Sequence, residues 1–138
     1  QLMFAEFELY THETLEKGIP LTSEDYSKAW HDLNVKYFGE DMVVDKEIDV
    51  EWSRIPHFYS DFYVYQYATG YAAASAFAKS ILEGKENAVE KYKGFLKAGG
   101  SDYPINILKT AGVDMTTSKP IEATINRFNE LLDMIDIK

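Results

Sequence analysis

TSEDYSKAWHDLNVKYFG, residues 22–39, predicts an amphipathic α-helix and is the stretch that decides the fold class. Thr22 and Asp25 have the spacing of a capping box, in which each side chain accepts a hydrogen bond from a backbone N–H group of the first turn. Apolar side chains then recur at positions i, i+4, i+7 and i+11 of one helical face, namely Tyr26, Trp30, Leu33 and Tyr37. Gly39 follows, and glycine commonly ends a helix.

The segments on either side of this stretch are also predicted to be helical. We expect helices over residues 2–17, 57–83, 85–98 and 104–112, and from 118 almost to the end of the chain, bounded by Gly, Pro and capping residues. Residues 40–55 lack a sustained helical face and are predicted to form a connector with one short turn near Trp52. No segment alternates as a strand does. The sequence therefore predicts an all-α fold of about six helices, with one long central helix.

In two predicted helices of the second half of the chain, apolar residues recur at helical spacing and are candidate core residues. In the segment 85–98 the inward residues are predicted to be Ala88, Tyr92, Phe95 and Leu96. In the last helix the same rhythm selects Ile121, Ile125, Phe128, Leu132 and Ile135.

Composition and charge exclude several classes of partner. The chain has 138 residues, the size of one domain, with a formal net charge of -9 and no cysteine. Nucleic-acid backbones and anionic membrane surfaces attract clustered Lys and Arg, so neither is expected as a partner. The lack of cysteine excludes disulfides and thiolate metal sites, and it fits a cytoplasmic location. Because no capping residue precedes Leu2, Met3 and Phe4, the chain is expected to be a fragment that begins within a helix.

A metal site is not predicted from the three histidines. Glu8 and His12 lie four residues apart on the first helix, and His12-Glu13 resembles the start of an HExxH motif. The second histidine of that motif is missing, because position 16 is Glu. An exposed polar face is the favoured interpretation of Glu8 and His12.

His57 stands at the head of a tyrosine-rich segment. It follows Pro56, whose fixed geometry can aim an imidazole into a cleft, and Tyr59, Tyr63 and Tyr67 recur every four residues after it. Hydroxyl groups in such a row can donate hydrogen bonds to a developing oxyanion or to a bound peptide backbone. The alternative is that aromatic residues at helical spacing fill the core.

Six stretches together carry a resemblance to a known family. They are RIPHFY (residues 54–59), FYVYQYATGY (62–71), MFAEFE (3–8), VVD (43–45), FLKAGGSDYP (95–104) and AGVDM (111–115). All resemble the carboxyl-terminal portion of oligoendopeptidase F, a zinc metallopeptidase related to thimet oligopeptidase. The resemblance covers essentially the whole chain.

The resemblance implies a helical, cytoplasmic enzyme that hydrolyses short peptides in a deep channel, with zinc held by HExxH and a downstream Glu. Both lie upstream of this chain in the family, so no zinc ligand is expected here and the chain alone is expected to be inactive. Residues 1–138 would be the C-terminal helical segment of the catalytic domain, partnered by the remainder of the polypeptide. By this resemblance His57, Tyr63 and Tyr67 are the candidate catalytic residues, and Tyr59, Tyr65 and Arg54 are candidates for substrate binding. The alternative is a non-catalytic helical module that binds peptides or a partner helix through the same aromatic groove.

Overall fold

A computed structural model describes residues 1–135, and residues 136–138 of the predicted segment lie outside the described part. The described chain contains six α-helices and two 3₁₀ helices and no strand, which confirms the all-α prediction. The α-helices are α1 (Leu2–Glu16), α2 (Ser23–Phe38), α3 (Tyr65–Leu82), α4 (Ala88–Ala98), α5 (Pro104–Thr110) and α6 (Lys119–Met134). The first 3₁₀ helix is Lys46–Arg54 and the second is Pro56–Tyr59. Two compact units divide the chain, Gln1–Ala68 and Thr69–Lys138.

The core of the N-terminal unit is an aromatic cluster around Trp30 of α2. The Trp30 side chain is fully buried, and its ring centroid lies 5.1 Å from that of Phe4, 5.0 Å from Phe7 and 5.7 Å from Phe58. Phe4 and Phe7 come from α1, whereas Phe58 comes from the second 3₁₀ helix. Large rings at tilted or edge-to-face angles bury much apolar area and gain quadrupole attraction. One side chain thus joins three elements.

The predicted capping box is present at the start of α2. The Thr22 hydroxyl accepts the Asp25 N–H, and the Asp25 carboxylate accepts the Thr22 N–H at 2.8 Å. At the other end Gly39 has φ 81° and ψ 176°, a backbone conformation that is essentially restricted to glycine. Both boundaries of the predicted helix are therefore confirmed.

The connector predicted for residues 40–55 is only partly correct, because residues 46–54 form a nine-residue 3₁₀ helix. Its period of three places Asp49 and Trp52 on one side, and both contact α2. The Asp49 carboxylate lies 2.7 Å from Nδ1 of His31, and Trp52 stacks on Tyr26 with centroids 4.8 Å apart. These contacts with α2 fix the segment. Its period of three differs from the 3.6-residue period of an α-helix, so the apolar pattern does not indicate a helix here.

The single helix predicted over residues 57–83 is wrong at its beginning. The second 3₁₀ helix ends at Tyr59, Asp61 and Phe62 have positive φ of 30° and 55°, and α3 starts only at Tyr65. The N–H of Phe62 donates 2.8 Å to Oε1 of Glu8, so a contact with α1 replaces an intrahelical hydrogen bond. From Tyr65 onward α3 is the longest of the described α-helices.

In the C-terminal unit a small core joins α3 to the segment around α5. Ala73, Phe77, Ala111 and Val113 are buried together, with Phe95 of α4 packed against them. The helix predicted from residue 85 begins at Ala88, because Asn87 has φ 57°.

Several residues predicted to face inward in this unit are exposed. Tyr92 and Leu96 of α4 are exposed, and so are the five apolar residues of the last predicted stripe, Ile121, Ile125, Phe128, Leu132 and Ile135. The α6 helix itself is confirmed, but the described residues do not cover its apolar face.

Replacing Trp30 with Ala is expected to lower the free energy of unfolding by roughly 3–5 kcal/mol, because it opens a cavity between three elements. Phe38→Ala on the same helix is the control, since Phe38 is 57% exposed, and it should cost far less. Urea denaturation followed by circular dichroism measures both. Equal losses for the two variants would contradict the central role of Trp30.

Asp114 is expected to make stability fall at acidic pH. Two hydrogen bonds from Thr116 and the Lys109 ammonium lower the pKa of this carboxyl from 3.8 to about 2. A lowered pKa contributes stability that is present above the ordinary pKa and is lost as the pH falls through the lowered one. Asp114→Asn should therefore be less stable than the wild type at neutral pH.

This difference between wild type and Asp114→Asn should shrink from pH 4 to pH 2, because the wild-type carboxyl is then protonated as well. The control Glu90→Gln removes an exposed carboxylate that pairs with Lys93, and its effect should be small at every pH. Thermal melts across this pH range test the prediction. A difference that stays constant with pH would refute it.

Candidate functional site

The structure brings together three of the predicted site residues, His57, Tyr63 and Tyr67, which we call the His57 cluster. The His57 and Tyr63 rings stack with centroids 5.8 Å apart and planes 7° apart. Tyr67 meets both rings edge-on, at 5.7 Å from His57 and 5.5 Å from Tyr63. The Tyr67 hydroxyl donates a hydrogen bond of 3.2 Å to the Tyr63 hydroxyl.

Two buried aliphatic residues fix the backbone on either side of the His57 cluster. Ile55 is buried and extended, with φ -81° and ψ 108°, and Pro56 opens the second 3₁₀ helix directly after it. Val64 is almost fully buried and directly follows Tyr63. Because both anchors point into the N-terminal unit, the aromatic residues next to them are left at its surface.

The phenol groups of the His57 cluster are accessible to a ligand. The Tyr63 and Tyr67 side chains are 43% and 42% exposed. The hydrogen bond to Tyr63, with a smaller effect of desolvation, raises the pKa of Tyr67 above its ordinary value. Tyr63 accepts this bond and keeps its own proton, so it can donate to a ligand. The arrangement offers neutral hydrogen-bond donors beside an imidazole.

Tyr59 does not continue a helical stripe with Tyr63 and Tyr67, because the chain leaves the helix at Ser60. Its hydroxyl donates 2.8 Å to the carbonyl oxygen of Ser53. Tyr65 starts α3 and is 48% exposed.

Arg54, the remaining predicted site residue, ends the first 3₁₀ helix and pairs with Glu51. It also lies on a groove of about 640 Å³ whose walls are largely apolar. The apolar lining includes Phe38, Met42, Val43, Val44, Ile48 and Val50. A guanidinium beside apolar walls can orient a polar chain while the walls hold its side groups.

Glu8 is the residue at this site that the sequence interpretation missed. The expectation of an exposed polar face is wrong for Glu8, which is 1% exposed. Its Oε1 accepts the Phe62 N–H, and its Oε2 is buried without a hydrogen-bond partner among residues 1–135. A signal was available, because Glu8 lies four residues after Phe4 and three before the buried Thr11, on the inward face of α1.

The expectation of an exposed polar face is also wrong for His12, which is half-buried. Its ring centroid lies 4.3 Å from that of Phe62. Within residues 1–135 no group of three or more His, Cys, Asp or Glu side chains has the arrangement of a metal site. None of the α-helices in that range is long and apolar enough to cross a bilayer.

Comparisons with known proteins agree over nearly the whole chain. The sequence profile of peptidase family M3 matches residues 1–127. Oligopeptidase PepF of Bacillus subtilis is 57% identical over 136 residues, which are 99% of this chain and 20% of that protein. The oligoendopeptidase F homolog of Borreliella burgdorferi is 50% identical over 135 residues, 98% of this chain and 23% of that protein.

A solved structure gives the same result. The crystal structure of oligoendopeptidase-F from Enterococcus faecium matches with a TM-score of 0.89 and 50% identity, over 96% of this chain and 26% of that chain. The helical fold and the profile match together define a peptidase segment, and the chain belongs to peptidase family M3. Within that family it resembles oligoendopeptidase F, as the motifs in its sequence predicted. It spans about a fifth of the length of the curated relatives that it matches.

The chain is expected to bind no stoichiometric zinc, because Glu8 accepts the Phe62 amide and no second histidine lies one turn after His12. Elemental analysis after dialysis against zinc measures the metal content. If one zinc is retained per chain, Glu8→Ala and His12→Ala will show whether these side chains hold it. Such retention would contradict the prediction.

Proposed function

We propose that this chain is the C-terminal part of a zinc metallo-oligopeptidase that hydrolyses short peptides. Its contribution is one wall of the cleft, which binds substrate and donates hydrogen bonds to the tetrahedral oxyanion. The observation that carries the proposal is the His57 cluster, in which accessible phenol hydroxyls lie beside an imidazole. The family membership of the chain and the oligopeptidase names of its relatives give the reaction class.

We assign the zinc ligands of the intact enzyme to polypeptide outside this chain, as the resemblance to oligoendopeptidase F implies. The role of this chain is hydrogen bonding. Tyr63 keeps its own proton for donation, while Tyr67 donates to Tyr63 and polarises that hydroxyl. A donor placed where negative charge develops on the substrate lowers the barrier by about 3 kcal/mol.

His57 adds a third polar group next to the two hydroxyls. Its ring is parallel to that of Tyr63, so polar groups at the edges of both rings can contact the same substrate atom. We assign Arg54, Tyr59 and Tyr65 to binding the rest of the peptide, with Arg54 beside the apolar groove. We place the intact enzyme in the cytoplasm, in keeping with the lack of cysteine.

Tyr63→Phe and Tyr67→Phe, made in the polypeptide of full length, test the oxyanion role. Removal of the hydroxyl that contacts the oxyanion should lower kcat by roughly 10²- to 10³-fold, with a smaller change in KM. Hydrolysis of a quenched fluorescent peptide measures both constants. Tyr10→Phe is the matched control, because Tyr10 of α1 is 42% exposed, like Tyr67.

The pattern of the kinetic constants separates the alternatives. A rise in KM with constant kcat would indicate that the tyrosines bind substrate and do not contact the oxyanion. Unchanged constants in both variants would refute the proposed role of the His57 cluster. A full-length polypeptide without HExxH would instead favour the peptide- or partner-binding module.

A further inference from the structure

A carboxylate is buried against the residue that directly precedes Tyr63, and the hydrogen bonding proposed for catalysis does not use it. Glu8 is 1% exposed on α1, next to Phe7 of the aromatic core. Burying a carboxylate is unfavourable unless hydrogen bonds compensate for the lost water. Here one oxygen accepts the Phe62 N–H at 2.8 Å and the other has no partner within the described chain. An apolar side chain would fill this position with less cost to folding.

The partner of Glu8 lies in a backbone conformation that needs outside support. Asp61 and Phe62 are consecutive residues with positive φ, which L-amino acids rarely adopt, least of all a bulky one such as Phe. The Glu8 carboxylate holds the Phe62 backbone, and His12, one helical turn further along α1, holds the Phe62 ring. Helix α1 therefore contacts Phe62 at both its backbone and its side chain.

The turn determines where the tyrosines point. Tyr63 directly follows Phe62, and Tyr67 lies in the first turn of α3. His57 precedes the turn, on the second 3₁₀ helix. The contact between the His57 and Tyr63 rings therefore spans the two left-handed residues, and a change in the turn would separate them.

We propose that Glu8 is a positioning residue, whose carboxylate holds the turn at Asp61 and Phe62 so that Tyr63 lies against His57 and Tyr67. The inference rests on the proposed function, because it assigns Glu8 to the same reaction. It adds a residue on α1 that acts through the backbone amide of Phe62.

The test uses the full-length polypeptide with Glu8→Met and Glu8→Gln. Met has a similar volume but accepts no hydrogen bond, whereas Gln keeps an acceptor oxygen. Glu8→Met should lower kcat by roughly 10- to 100-fold, as expected for displaced catalytic groups, while its thermal stability is equal or higher. Glu8→Gln should keep kcat within about threefold of the wild type, because the Phe62 hydrogen bond remains possible. Glu13→Gln is the control, since Glu13 pairs with Lys17 on the exposed side of α1.

A double-variant cycle shows whether Glu8 acts through Tyr63. In the Tyr63→Phe background, Glu8→Met should cause little further loss of kcat, because the hydroxyl that it positions is already absent. Losses that multiply, or a Glu8→Met enzyme with wild-type kcat, would overturn the inference. A purely structural role would instead make activity follow stability.

Hydrogen exchange at the Phe62 amide gives a readout besides activity. The wild-type amide should be protected, and Glu8→Met should remove that protection while Glu8→Gln keeps most of it. An unprotected wild-type amide would overturn the inference even if Glu8→Met fails to fold. If Tyr63→Phe and Tyr67→Phe leave activity unchanged while this protection pattern holds, the proposed function fails and the positioning role stands.

Discussion

The left-handed turn at Asp61 and Phe62 is the constraint on which the candidate site depends. In one continuous helix, His57 and Tyr63 would point about 120° apart around the axis, and His57 and Tyr67 would be separated by about 15 Å along it. The observed ring centroids are 5.8 Å and 5.7 Å apart. Two residues at positive φ cost about 1–3 kcal/mol each, so the interruption needs contacts with other elements to persist. A site of this shape requires the helix to be broken.

The aromatic core supports the same turn from its other side. Phe58 follows His57 directly and packs against Phe4, Phe7 and Trp30, with centroids 5.6, 5.0 and 5.7 Å away. Because one residue of the second 3₁₀ helix is fixed in the core, its neighbour His57 is directed toward the surface. Glu8 and Phe7 are adjacent on α1, so one turn of helix contributes both to the core and to the hold on Phe62. Folding energy and site geometry are therefore coupled in the N-terminal unit.

Local signals in the sequence predicted the elements that local interactions determine. Thr22, Asp25 and Gly39 bound α2 because capping and glycine geometry act within a few residues. The membership of the His57 cluster was also predicted, although its assumed geometry, a stripe on one helix, is wrong. The turn at Phe62 could not be predicted in this way, because its acceptor is 54 residues away. The first 3₁₀ helix escaped detection for a similar reason, since its contacts are with α2.

The oxyanion role proposed for the His57 cluster is compatible with an acidic chain, because its donors are uncharged side chains. Carboxylates near the reacting atom would repel developing negative charge, and the donors here are phenols, which carry no charge. The hydrogen bond to Tyr63 raises the pKa of Tyr67, so ionisation of that hydroxyl moves further from neutral pH. Glu8 is buried on α1, and its Oε1 accepts the backbone N–H of Phe62, the residue directly before Tyr63.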